Sequence, residues 1–376
     1  MTSAINVPFV DLSRQFRSLE APLVQAFVEV GNSGVYILGP QLERFEREVA
    51  SICGVKHAVG VADGSAALFL SLKALDVGPG DEVITAANSF IASAWVIVAT
   101  GATPILTDVG PDLNMDPESL ERAVNGRTKA IIPVHLAGRP AAMNEIMRIA
   151  QVRGIHIVED AAQAIGAKYY GMPVGSFGIA GAFSLHPLKN LGIYGDGGFI
   201  TTNDDALADR VRLLRNHGLR TRDDCEVWGF NSRLDTIQAA FALVKLQYLE
   251  KWNVRNREIA SMYRSELCEI VDVPKDQPYE SNVYHNFILN SPLRDKLARY
   301  LKDRGIGTAV HYPTPIHLQR AAIDLPYGPG SFPRAESFAR TMLSLPIYPE
   351  LENSEVLYVV EQIQRFFREK SESFVR

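Results

Sequence analysis

From residue 41 to residue 160 the apolar positions switch repeatedly between two periods. Leu42, Phe45, Val49 and Ile52 recur at helical spacing, and the short apolar run 58–62 that follows reads as a buried strand. Leu68, Leu72 and Leu75 then give residues 66–75 one apolar helical face. The same step returns as a strand at 82–86 with a helix up to 99, a strand at 103–107, a strand at 130–135 with a helix at 143–153, and a strand at 155–160. Strands alternating with helices predict a mostly parallel sheet covered by helices on both faces. In such a sheet, ligands sit beyond the carboxyl ends of the strands.

On either side of this stretch the pattern is plainer. Residues before 41 read as a short N-terminal arm. Residues 204–222 read as basic and helical, and a long helix is expected from 236 to beyond 263. A change of domain is placed inside that helix near Glu250, giving a large domain over 1–250 and a small α+β domain over 251–376. The small domain is expected to hold a strand at 286–289, a helix at 292–304, a second strand at 307–313 and a final helix at 355–368.

Composition narrows the function classes. The 376 residues carry 38 Lys and Arg against 43 Asp and Glu, a net charge of -5. That balance gives no general attraction for nucleic acid or acidic membranes, so an anionic ligand must be held by local groups. Cys53, Cys225 and Cys268 are odd in number and far apart. They point to a reducing, cytoplasmic setting with neither a disulfide framework nor structural zinc. The N-terminus lacks a basic segment followed by an apolar run, so no export signal is read. The uncharged run 83–107 is long enough to span a bilayer, but Asn88, Ser89, Ser93, Gly101 and Pro104 interrupt it as they would a buried βαβ unit.

Three marked places fall at the predicted strand ends, Gly64-Ser65, Phe90 and Asp160, and a fourth stretch, around Lys189, carries the reactive amine. Lys189 lies in an apolar, glycine-rich stretch from Ala182 to Gly198, with no carboxylate within six positions. A poorly solvated amine loses its proton readily and attacks carbonyls; the alternative is a lysine that reaches back to water. Asp63-Gly64-Ser65 opens a helix, where free N–H groups and a hydroxyl form either an anion site or a plain cap. Asp160 ends a buried strand, where its carboxylate either caps the next helix or holds a proton on a heterocyclic nitrogen. The run Arg215-Asn-His217-Gly-Leu-Arg220-Thr-Arg222 either neutralises a phosphate or forms a solvated face. An amine, a strand-end carboxylate and a phosphate-binding helix start together ask for a planar aromatic aldehyde with a phosphate and a ring nitrogen, which is pyridoxal phosphate.

From Val7-Pro-Phe-Val-Asp-Leu nearly to the C-terminus the chain also resembles the DegT/DnrJ/EryC1/StrS sugar aminotransferases, of the aspartate aminotransferase fold (fold type I). The motifs are Val158-Glu-Asp-Ala-Ala-Gln163, Phe183-Ser-Leu-His-Pro-Leu-Lys189-Asn-Leu, Gly195-Asp-Gly-Gly198, Gly229-Phe-Asn-Ser-Arg-Leu-Asp235 and Ala309-Val-His-Tyr-Pro313. The resemblance implies that Lys189 forms the Schiff base and carries the proton, and that Asp160 pairs with the pyridine nitrogen. It implies Phe90 stacked on the ring, Gln163 near the 3-hydroxyl, and Gly64, Ser65 and Ser184 on the phosphate, with Asn231 entering from a second subunit of a homodimer. Arg233, His311 and Tyr312 are implied contacts to the sugar or diphosphate, or else pack at a domain boundary.

The implied reaction moves an amino group from an amino acid, by family analogy L-glutamate, to a keto sugar linked to a nucleoside diphosphate. The motifs around Asn231 and His311 look closer to members acting on 3-keto than on 4-keto sugars. Two departures stand out: Asp63 occupies a place where the family often has a small polar residue, and Leu185 replaces a more usual aromatic. Related dehydratases resemble this chain with histidine in place of the lysine. A regulator without turnover, which the family name suggests, finds no helix-turn-helix or basic domain in the sequence to support it.

Overall fold

A computed structural model describes residues 6–374, and their side chains as far as residue 370. In chain order the first half holds α1 (Leu12–Ser33), α2 (Pro40–Ile52), β1 (His57–Val61), α3 (Gly64–Ala74), β2 (Glu82–Ala86), α4 (Ala92–Thr100), β3 (Thr103–Thr107), α5 (Pro117–Ala123), β4 (Thr128–Ile132), α6 (Met143–Arg153) and β5 (His156–Asp160). The short strands β6 (Lys168–Tyr169) and β7 (Met172–Pro173) precede β8 (Ala180–Ser184), β9 (Gly198–Thr202) and α7 (Asp205–Arg215). A hairpin, β10 (Leu219–Thr221) and β11 (Asp224–Cys225), leads to α8 (Thr236–Leu246) and α9 (Leu249–Leu267). The remainder holds β12 (Glu280–Ser281), β13 (Phe287–Asn290), α10 (Arg294–Lys302), α11 (Pro333–Thr341), β14 (Met342–Leu345) and α12 (Asn353–Phe374).

The central sheet has seven strands in the order β1-β9-β8-β5-β4-β2-β3. Only β9 runs against its neighbours; the other pairings in this sheet are parallel. Strands β2, β4, β5 and β8 are almost wholly buried, which is why they read as continuous apolar runs rather than alternating ones. The uncharged run 83–107 resolves into β2, α4 and β3, a βαβ unit inside this sheet. Among the described residues no helix is long and apolar enough to cross a membrane.

In four places the chain departs from the sequence expectation. Residues before 41 are more than an arm, because α1 covers 22 of them and buries Leu19, Leu23, Ala26 and Val30. The long helix after 236 is two, since the chain turns at Gln247–Tyr248 so that α8 packs against α1 and α2 while α9 leads away. The segment 307–313 is not a strand: it touches β14 through a single bridge, Ala309 to Ser344, and β14 takes its place beside β13. Finally, the basic run 204–222 is not one helix, because α7 ends at Arg215 and the β10–β11 hairpin follows. Arg215 is buried against the Glu46 carboxylate and the Gly60 carbonyl, and Arg220 is held by Asp209 and Glu226.

The expected division at residue 250 falls within the first turn of α9. Leu249 packs with Phe45 and Leu185, whereas Tyr263 and Leu267 pack with Phe287, Leu297 and Val356 in a second core. That second core also takes Val7 from the N-terminus, and Ile316 and Phe332 return to the large sheet's core beside Ile84 and Ile131.

Candidate active site

Strand register brings the candidate residues to one edge. On β5, Glu159 and Asp160 point to opposite faces, as successive strand residues must. Glu159 is consumed by structure, accepting from the backbone N–H groups of Gly175, Phe177 and Gly178 and meeting His135 Nε2 at 3.1 Å. Asp160 instead faces the site. It lies opposite Ala182 of β8, two residues before Ser184; Ser184 is paired with Gly198 of β9, and Gly198 with Val61, the last residue of β1 before the turn to Gly64.

That turn is tight. A Cβ on Gly64 would lie 2.7 Å from Ser184 Cβ, and one on Gly198 would lie 2.5 Å from the Asp63 carbonyl. Gly64 and Gly198 are therefore needed for the approach of the α3 start to β8 and β9, whereas a Cβ on Gly197 would meet Ile193 and Leu234. Asp63 resolves its own anomaly: it is the N-cap of α3, and its carboxylate accepts from Ala66 N at 2.8 Å. Capping leaves the N–H groups of Gly64 and Ser65 without a protein acceptor among the described residues, next to the Ser65 and Ser184 hydroxyls. Two free amides at a helix start, joined by two hydroxyls, fit a phosphate. Gly64→Ala adds a methyl where there is no room, and overpacking costs about 1–3 kcal/mol. It is expected to weaken cofactor binding about ten- to a hundredfold, as equilibrium dialysis would show.

Lys189 sits on the loop between β8 and β9, held at both ends by Leu185 N to Gly197 O and Ile193 N to Leu185 O. Leu185, Leu191 and Ile193 are buried, so the loop's apolar residues anchor it; Leu185 fills that core without bearing on the chemistry. Gly192 has no room for a Cβ, which would lie 2.2 Å from the Pro187 carbonyl. Asn190 ties the loop to α9 through Asn253 Oδ1 and to the segment after β12 through the Val283 carbonyl, each at 2.9 Å. Tyr194 closes the other side, edge-on to Phe16 and Phe241 and beneath Lys245 Nζ at 4.3 Å.

Burial pushes the Lys189 amine down to about 8, against the opposing pull of Asp160. Above that pH the amine is neutral and nucleophilic. Burial likewise raises the Asp160 carboxyl, which accepts from Ser93 Oγ at 2.8 Å and Ala162 N at 3.2 Å. A buried carboxylate of this kind is stabilised by a cationic partner, and a protonated ring nitrogen is one.

The remaining residues divide into those near this edge and those apart from it. Gln163 is fixed by Ala137 N–H, which donates to its Oε1 at 2.7 Å, and its Nε2 donates to Tyr312 Oη at 3.2 Å. Phe90 is exposed, with its ring 5.9 Å from that of Tyr312. Burial and Asp160 raise the Tyr312 phenol to about 12. His311 meets Ser344 Oγ at 2.9 Å and stacks on Phe9; burial, then Lys189, lower it to about 4. Arg233 donates to Asn216 Oδ1 at 2.9 Å. Asn231 is exposed, and its side chain has no hydrogen bond among the described residues.

Three contributors escaped the sequence reading. Ser93 orients Asp160 from α4, Ala137 orients Gln163 from a backbone turn at φ 59°, and His285 faces Lys189. Burial, with Lys189, His311 and His186 nearby, holds His285 well below its ordinary value, so it stays neutral beside the amine. Ser93 had a faint signal in its i, i+4 spacing from Ser89, to which it is bonded at 2.8 Å. The other two arise only from tertiary packing.

The sequence model of the DegT/DnrJ/EryC1/StrS aminotransferase family matches residues 18–364. The chain is 45% identical to a dTDP-3-amino-3,4,6-trideoxy-alpha-D-glucose transaminase of Streptomyces venezuelae, covering 96% of each. It is 44% identical to a "pleiotropic regulatory protein" of Geobacillus stearothermophilus over 97% of this chain and 99% of that one. The solved NtdA structure of Bacillus subtilis, with bound cofactor PMP, superposes with a TM-score of 0.91 at 29% identity, over 96% of this chain and 85% of that one. The chain thus belongs to the DegT/DnrJ/EryC1/StrS aminotransferase family, whose enzymes are pyridoxal phosphate-dependent sugar aminotransferases.

Proposed function

We propose that this enzyme moves the amino group of L-glutamate to the 3-keto position of a hexose linked to a nucleoside diphosphate. The observation that carries the chemistry is the convergence of Lys189, Asp160 and the Gly64–Ser184 cradle on one sheet edge. The 3-amino product named for the Streptomyces venezuelae relative favours the 3-keto position.

When bound, pyridoxal phosphate supplies a carbonyl that takes up the amino group and a ring that withdraws electrons from the adjacent carbon. Lys189 Nζ, neutral above about pH 8, would be the amine that holds the cofactor and the group that moves the proton at the substrate carbon. Asp160 would hold a proton on the ring nitrogen, Gly64, Ser65 and Ser184 would hold the phosphate, and Phe90 and Gln163 would bind the ring and its hydroxyl. His311, Tyr312 and Arg233 contact the sugar or its diphosphate; His311, neutral down to about pH 4, does so as an uncharged group.

Asn231 reaches the phosphate of a second copy in a homodimer. Two large exposed apolar side chains, Trp228 at 94% and Phe27 of α1 at 61%, support a partner surface. The free cysteines Cys53, Cys225 and Cys268 support a cytoplasmic location.

The test is turnover of matched 3-keto and 4-keto nucleotide sugars with L-glutamate as donor. A kcat/KM at least about tenfold higher for the 3-keto compound is expected, a difference of about 1.4 kcal/mol in transition-state binding; preference for the 4-keto compound would reverse the assignment. The regulatory name of the Geobacillus stearothermophilus relative raises a second reading, a cofactor-binding regulator. Lys189 and Asp160, both in place for proton transfer, weigh against it, and absence of transfer to any keto sugar despite bound cofactor would restore it.

A further inference from the structure

Helix α8 presents one face to the loop that carries Lys189. Gln238, Phe241 and Lys245 recur at i, i+3 and i+7, the spacing of a single helical stripe, and all three meet residues 192–194. Gln238 engages both backbone groups of Tyr194: its Oε1 accepts from Tyr194 N at 3.2 Å, and its Nε2 donates to Tyr194 O at 2.7 Å. Lys245 Nζ donates to the Gly192 carbonyl at 2.7 Å and lies 4.3 Å from the centre of the Tyr194 ring.

Lys245 is 2% exposed, and an ammonium is unfavourable to bury unless several groups compensate it. The Gly192 carbonyl, the face of the Tyr194 ring and the attraction of Glu350 do so here. An apolar side chain would fill the same space without that desolvation, so what the ammonium adds is a fixed donor to Gly192. The Gly192 carbonyl belongs to a closed turn. A Cβ on Gly192 would collide with the Pro187 carbonyl, and Lys189 N donates to the His186 carbonyl at 2.8 Å, so residues 186–192 stand or move together, Lys189 among them. Asn190, next to Lys189, is held by Asn253 of α9 at 2.9 Å. The break at Gln247–Tyr248 thus gives α8 and α9 each its own hold on the turn.

We propose that Lys245, with Gln238, is a positioning residue for amino transfer: together they fix residues 186–195 so that the Lys189 amine stands where it moves the proton at the substrate carbon. Both side chains are engaged with the loop backbone and act through it. A displacement of 1 Å at a reacting group lowers the rate by about a hundredfold. The effect falls on the proton-transfer step rather than on substrate binding. The inference rests on Lys189 as the proton carrier of the reading above, and not on which sugar or donor the enzyme takes.

The test uses the holoenzyme of Lys245→Met, which keeps the apolar stem and removes the donor, and of Gln238→Ala, a half-buried position that tests the same loop should the first variant fold poorly. Ile363→Val, a buried change in α12 within the second core, controls for loss of stability alone. Amide hydrogen exchange read by mass spectrometry is expected to quicken about tenfold in the peptide spanning 186–197 in both loop variants and nowhere else, the size of the lost hydrogen bonding. With L-glutamate as donor, kcat is expected to fall about ten- to a hundredfold and KM to stay within about threefold. α-Deuterated L-glutamate is expected to show a primary isotope effect on kcat in both, as when proton transfer limits the rate. Ile363→Val is expected to keep the loop exchange and kcat of the wild type. Unaltered exchange at 186–197 in both folded variants, or a lowered kcat without an isotope effect, would overturn the proposal. Wild-type enzyme that fails to turn over L-glutamate would instead remove the donor assignment, and the exchange result alone would then decide for or against Lys245.

Discussion

Lys189→Ala protein, incubated with pyridoxal phosphate, is expected to remain without the visible chromophore of the lysine-linked cofactor, and its amino transfer to fall by about 10⁵-fold or more. Removing this side chain deletes two functions at once, the covalent link and the proton carrier, and the loss of a group that does both approaches the whole chemical advantage of the site. The fold is expected to survive. Lys189 contributes no side-chain hydrogen bond to the structure, and its loop is held by Leu185, Leu191, Ile193 and Asn190 instead. The sign of any stability change follows from linkage. The folded-state amine lies at about 8, below its ordinary value, so between about pH 8 and pH 10.5 the unfolded chain binds more protons. Stability therefore rises with pH through that window in the wild type, and this contribution vanishes in Lys189→Ala. A pH series of thermal melts would detect it.

Asp160→Asn is expected to cost about 10²- to 10⁴-fold in amino transfer, while a chromophore still forms at Lys189. The magnitude is that of breaking a buried charge pair, about 3–5 kcal/mol, at the moment the ring must draw electrons. Asparagine keeps the shape and can still meet Ser93 Oγ, but it cannot hold a proton on the ring nitrogen. The variant therefore separates cofactor attachment from electron withdrawal. Steady-state rates together with the visible spectrum check it; a variant as fast as wild type would remove Asp160 from the chemistry.

What could be read in the sequence was local, and what could not was made by packing. The strand end at Asp160, the glycines around Lys189 and the Gly64-Ser65 helix start are short motifs whose chemistry follows from neighbouring residues, so their convergence could be inferred from a parallel sheet. The helix α1 was lost because its outer face is apolar too: Val24, Phe27 and Val28 are exposed beside the buried Leu23 and Ala26, which blurs the period. Pro22 within it also reads as a breaker. Nothing in Leu246-Gln247-Tyr248 announces the turn between α8 and α9, since no glycine or proline marks it. The β-like run 307–313 was misread because the edge it would pair with is already occupied by β14. Asp63 looked unfavourable beside a phosphate until its carboxylate was found bonded to Ala66 N. Ser93, Ala137 and His285 lie 67, 26 and 96 residues from Asp160, Gln163 and Lys189, the groups they serve, beyond the reach of any local pattern.

One measurement bears on the centre of this account. Lys245 is a second buried lysine whose amine burial lowers to about 8, and it lies close by, donating to the Gly192 carbonyl at 2.7 Å on the same loop. Lowered basicity alone therefore does not single out Lys189; its position facing Asp160 does. The holoenzyme is reduced with borohydride, digested, and its peptides are weighed by mass spectrometry to locate the cofactor's added mass. That mass is expected on Lys189, in the peptide containing Leu185-His-Pro-Leu, and on no other lysine. Stoichiometric label on Lys245, with Lys189 unmodified, would contradict it.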